Sequence, residues 1–142
     1  MSIKRVGLDI EPFGQCIDVF FNIKNTDDLK VINSFIKSKY SPLQDEEIDY
    51  EALTLAGSFY YFPCEEGIYR CIVLKKFDLK SIDNCCNFVH ELYHALYHIL
   101  DQVEVETSDK FNELTAYLLD CNLGKFLKAV KDKKYEKLGD FK

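Results

Sequence analysis

The chain has 142 residues, 47% of them hydrophobic and 14% aromatic, which suits one domain spanning residues 1–142 with a real core and excludes a disordered polymer. A net charge of −6 argues against nucleic acid or an anionic membrane as the main partner. No apolar run approaches the roughly 20 residues of a membrane span.

The first half reads as strands with one helix. Val6, Leu8 and Ile10 alternate, Pro12-Phe13-Gly14 turns the chain, and Ile17, Val19, Phe21 and Ile23 alternate after it, the pattern of a β-hairpin. Thr26-Asp27-Asp28 opens a helix with Leu29, Ile32, Phe35 and Ile36 on one side, and Ser41-Pro42 ends it. The acidic stretch from Asp45 to Glu51 reads as a solvated loop, or as the border of a cleft that favours basic substrates. A second hairpin is expected from β-prone residues 53–62, a turn at Pro63-Cys64-Glu65-Glu66-Gly67, and the alternation of Ile68, Arg70, Ile72 and Leu74.

The second half reads as helical. Ser81 is an N-cap candidate, followed by the stripe Ile82, Cys85, Val89, Leu92, Leu96, Ile99 and Val103 at 3-4 spacing. A turn is expected over residues 102–108. Ser108 then caps a last helix with Phe111, Leu114, Leu118, Leu119, Leu123, Phe126 and Val130 as apolar positions. Residues 125–142 carry seven lysines against Asp132, Glu136 and Asp140, and read as the solvated end of that helix or as a docking surface. The fold class is therefore α+β: a small, twisted, antiparallel-rich sheet from two hairpins, plus three helices. Six cysteines without a C-x-x-C pair, and no signal peptide ahead of Ile3-Lys4-Arg5, read as reduced, mostly buried thiols of a cytoplasmic protein.

All three histidines lie in the run from His90 to His98, whose first five residues spell H-E-x-x-H. On a helix, positions i and i+4 share a face, so His90 and His94 are placed to aim at one metal ion. Glu91 sits about 100° around the same helix, where a water-activating carboxylate is needed. Projected on a wheel, the apolar stripe lies roughly opposite the two histidines. Catalytic zinc needs three protein ligands and one open position. Glu113, eighteen intervening residues after His94, is the candidate third ligand on the returning helix. A His-His-Glu set would let Zn2+ lower the pKa of its water to about 7, with Glu91 as general base.

On His90, Glu91, His94, Asn112, Glu113 and Ala116 the chain resembles a minimal gluzincin-type zinc metallopeptidase, the thermolysin-type grouping with H-E-x-x-H plus N-E-x-x-[S/A]. The extension through His98, followed by E-x-x-A, is also similar to the ImmA/IrrE-type peptidases, and the order of elements resembles compact phage-type metallopeptidases. The motif match covers residues 88–120, and over the N-terminal half the likeness is architectural. The resemblance implies a zincin-like active-site helix and glutamate helix, Zn2+ as cofactor, and hydrolysis of a peptide bond. Tyr117 stands where thermolysin-type enzymes carry Asp, which leaves Asp101 or Asp120 to orient a ligand histidine. With no histidine after His98, a tyrosine (Tyr97, Tyr117, Tyr60 or Tyr61) would have to polarise the carbonyl.

Plainer readings stand beside each role. His90 and His94 fit a pair of partly buried helix histidines, Glu113 an ordinary surface carboxylate, and Cys86 a packed thiol rather than a soft-metal ligand. His98 reads as a supporting or surface residue, or as a ligand. The leading expectation is a zinc-dependent peptidase whose substrate lies extended along a strand edge at residues 55–61, where small residues sit beside aromatics. The alternative is a catalytically silent binding or regulatory module on such a scaffold. A deformylase would want a cysteine ligand motif that Pro63-Cys64-Glu65-Glu66 does not match, and the paired cysteines of zinc deaminases are missing. The expected partner is a peptide or protein substrate, not nucleic acid or membrane; the sequence leaves the oligomeric state open.

Overall fold

The chain's first hairpin forms where the alternation places it. Strand β1 (Ile3–Ile10) pairs antiparallel with β2 (Gln15–Phe21), from Lys4 opposite Phe21 to Ile10 opposite Gln15. Gly14 takes a left-handed φ of +62° in the connecting turn, a conformation without steric cost only for glycine. A computed structural model describes residues 3–44, 46–103 and 109–139. Asp45, the proposed cap Ser108 and Asp140 lie outside the described residues, as does most of the expected turn before Ser108.

Helix α1 (Thr26–Lys39) starts on Asn25, whose side chain accepts a hydrogen bond from Asp28 N at 3.1 Å. It buries Leu29, Ile32 and Ile36 against the sheet. Asn33, on the same face, exchanges two hydrogen bonds with the Ile48 backbone, at 3.0 and 2.9 Å, and so pins the acidic loop to the helix. A single 3-10 turn (Tyr50–Leu53) follows, capped by Asp49. Residues 53–56, expected as strand, are therefore turn and approach: the aromatic run begins to pair only at Gly57.

Strand β3 (Gly57–Cys64) and β4 (Gly67–Leu74) form the second hairpin. Its turn is Glu65-Glu66, tighter than expected, because Pro63 and Cys64 stay in the strand. β4 joins the first hairpin by pairing parallel to β2, Ile17 opposite Arg70 through Phe21 opposite Leu74. The sheet order is β3-β4-β2-β1-β5, where β5 (Glu136–Leu138) pairs antiparallel with β1. The tail expected as a helix end instead breaks at Lys133, with φ +55°, and returns to the sheet, where Glu136 meets Arg5 at 2.9 Å.

Helix α2 (Ile82–Gln102) and helix α3 (Asp109–Lys131) cover the face opposite α1. Ser81 caps α2 as expected, accepting from Asn84 N at 3.2 Å. The α2 core stripe is Phe88, Leu92, Ala95, Leu96, Ile99 and Leu100; Ile82 is 79% exposed and Val103 41%, so the two ends of the expected stripe are outside the core. α3 buries Phe111, Thr115, Leu118, Asn122 and Phe126. Phe126 stacks within 4.1 Å of Phe88 and 4.8 Å of Phe77, measured between ring centroids. Among the described residues the architecture is α+β, with a mixed sheet and three α-helices. All six cysteines are free, but only Cys64 and Cys71 are buried. Among the described residues no helix is long and apolar enough to cross a membrane.

Candidate functional site

The site forms where α2 runs beside β3, the sheet's edge strand. Pro63 O accepts from Leu43 N at 2.9 Å on the outer side, whereas Ala56 O accepts from Lys75 N on the inner side. Strand alternation then points the N–H and C=O groups of Phe59 and Tyr61 outward. Pro63 shares that parity, so its missing N–H costs the sheet no ladder bond. Among the described residues, residues 41–43 cover this edge only at its Cys64 end, through the Pro42–Cys64 bridge.

Along the open part of the edge lies a groove of about 490 Å³, with α2 on one side and the 3-10 turn on the other. Among the described residues, its walls carry three carboxylates, Glu51, Glu91 and Asp101, and no lysine or arginine. Phe59, Tyr60 and Tyr97 supply aromatic surface. The acidic loop thus borders a cleft through Glu51, one of the two readings its sequence allowed.

Glu91 is only 8% exposed. β3 approaches it so closely that a Cβ on Gly57 would stand 3.1 Å from Glu91 Cγ and 3.2 Å from Leu74 Cδ2, which is why glycine occupies that position. Burial raises the Glu91 pKa above the usual carboxylate range, while His90 and His94 pull it partly back. His90 and His94 do share a face: their Nε2 atoms are 3.1 Å apart, so one ring must offer a lone pair to the other's N–H. His90 Nε2 lies 3.9 Å from Glu91 Oε1.

His98 has a different task. Arg70 Nε donates to its Nδ1 at 2.8 Å, which fixes a neutral ring with its proton on Nε2. Tyr61 stacks on it at 4.2 Å and Phe59 meets its edge at 5.8 Å. Burial, then the nearby Arg70 charge, lowers its pKa, against a smaller opposing pull from Asp101. Sequence spacing could not show Arg70 as its partner, because the two are 28 residues apart and meet only through β4.

The remaining candidates separate. Tyr97 lines the groove and packs edge-on against Phe111 at 5.6 Å. Tyr117 is 66% exposed on α3, and Glu113 and Asp120 are exposed there too. Glu113 sits about 160° around α3 from Phe111, so docking Phe111, Thr115 and Leu118 into the core turns it outward. Cys86 is exposed one turn before His90.

Among the described residues, no three His, Cys, Asp or Glu side chains converge on a point that would hold a metal ion. Two imidazoles alone do not make the three-ligand set that catalytic zinc requires. This overturns the expected Zn2+ cofactor bound by His90, His94 and Glu113, and with it the zinc-dependent peptidase mechanism and the gluzincin-type reading. The chain matches no family model, no curated protein and no solved structure. The ImmA/IrrE-type and phage-type likeness therefore rests on a short helical motif whose third ligand does not join it.

Proposed function

We propose that this chain is a binding module that takes up an extended, basic protein segment along the free edge of β3, as a sixth strand. The observation that carries this reading is the open edge at Phe59 and Tyr61, of which Phe59 lines an acidic groove. An unpaired strand edge offers main-chain hydrogen bonds to any extended peptide, and side-chain pockets beside it select among peptides. Glu51, Glu91 and Asp101 favour lysine or arginine side chains, while Tyr97 and Phe59 supply surface for their alkyl stems. Glu91, His94 and Tyr97 are the side chains assigned to contact the segment. Unpaired cysteines support a reducing, cytoplasmic setting.

Selection from a random peptide display library, followed by amide exchange on the complex, tests this. Enriched peptides should be rich in lysine or arginine, and the Phe59 and Tyr61 amides should gain protection when they bind. Tyr61→Pro deletes one outward donor at an edge position and should weaken binding about tenfold. Enriched peptides that leave both amides unprotected, or no enrichment over a control surface, would end the proposal.

A further inference from the structure

A second and larger cavity, about 930 Å³, opens at the carboxyl ends of the two parallel strands, β2 and β4. Its walls are the loops that follow those strands, and they are tied together. Asn22 N donates to Leu74 O at 3.2 Å, Ile23 N to Lys75 O at 3.1 Å, and Phe77 N to the Asn22 side chain at 3.1 Å. The floor is aromatic: Phe21 meets Phe77 at 6.1 Å and Tyr135 at 5.9 Å. The volume falls within the range of about 300–1,000 Å³ usual for small-molecule sites.

The rim is built from lysines: Lys4, Lys24, Lys75, Lys76, Lys80 and Lys133, with Asp78 as the single acid among the described residues. The Lys4 ammonium lies over the Tyr135 ring at 4.7 Å. Among the described residues, no carboxylate forms an ion pair with any of these six ammonium groups. Asp78 is already engaged, its Oδ1 accepting from Lys80 N at 2.9 Å. Lysine stems do cover apolar surface while their heads stay in water. That does not account for six lysines lining one cavity in a chain of net charge −6. Such a cluster repels itself, and an anion relieves the repulsion.

We infer that this cavity binds a small amphipathic acid, with its apolar body on Phe21, Phe77 and Tyr135 and a phosphate or carboxylate head among the rim lysines. The inference stands on this cavity alone and is independent of the β3 edge.

Titration calorimetry with 1-naphthyl phosphate and with neutral 1-naphthol, beside amide-shift mapping, tests it. At low salt the phosphate should bind about tenfold or more tightly than the naphthol, the equivalent of about 1.4 kcal/mol. Its shifts should map to residues 22–24 and 75–80. The double variant Lys24→Glu/Lys76→Glu changes two exposed residues outside the core and should weaken phosphate binding about tenfold or more. The control Lys30→Glu/Lys128→Glu makes the same change in net charge away from the cavity and should leave binding within about twofold. Equal affinity for the two compounds, equal loss in both double variants, or no binding of either at millimolar concentration would overturn the inference.

Discussion

The β3-edge groove and the lysine-rimmed cavity meet at Ala56 and Gly57, yet their charges are opposite in sign and different in setting. In the groove the central charge, Glu91, is buried, so its ionisation is costly and its state follows pH. In the cavity five of the six lysines are exposed, so their attraction for an anion is screened and follows salt. The net charge of −6 describes neither region. It bears on large, diffuse partners and says little about a pocket lined by six lysines.

The largest expected effect lies beneath the cavity. Phe126 touches Phe21, Phe77 and Phe88 and fixes α3 over the aromatic floor. Phe126→Ala should lower stability by about 3–5 kcal/mol in urea unfolding, since it removes a fully buried ring that cannot be replaced by collapse. A loss below about 1 kcal/mol would mean that α3 is not docked as described. The border between the two regions comes next. Gly57→Val would press a branched side chain on Glu91 and Leu74, and should cost about 1–3 kcal/mol in urea unfolding. A variant as stable as the parent would show that β3 does not lie against Glu91.

The parts of this molecule that were legible in its sequence are local. The first hairpin, the capped start of α2 at Ser81, and the shared face of His90 and His94 all follow from spacing within a few residues. What was not legible depends on distant contacts. The three-residue β5 carries no pattern of its own and exists because Lys133 turns the chain back to β1. Spacing places Glu113 on a face of its own helix, but the rotation of α3 is set by Phe111, Thr115, Leu118, Asn122 and Phe126 together. A two-histidine motif is a local pattern, whereas the third ligand is a statement about packing. The same limit hid the lysine cavity, whose six rim residues come from five separate places in the chain.

Glu91 sharpens the comparison through pH. Its folded pKa is raised, so the folded state holds a proton that the unfolded chain gives up sooner. Stability is therefore lost as pH rises from the ordinary carboxylate range through the raised folded value. Glu91→Gln has no such charge to bury, and should be at least as stable as the parent at neutral pH. At a pH low enough to protonate Glu91 in both states, the difference should shrink. Urea unfolding across this range checks it. A parent protein that gains on the variant as pH rises would mean that the carboxylate has a partner that favours its charge.

The smallest effect belongs to His98 and runs the other way. Its folded pKa is depressed, so its contribution is present above the ordinary value of 6.5 and is lost as pH falls through that value towards the lower folded one. The cause is its position: burial first, then Arg70, whose Nε occupies the lone pair a proton would need. NMR titration of the His98 ring should give a pKa below 6.5, with the proton on Nε2 at neutral pH. Arg70→Met removes both the charge and the donor, and should move that pKa upward. If His98 instead titrated at or above 6.5 in the parent protein, the Arg70–His98–Tyr61 stack would not be in place. The wall that flanks Phe59 and Tyr61 would then be looser than an added strand requires.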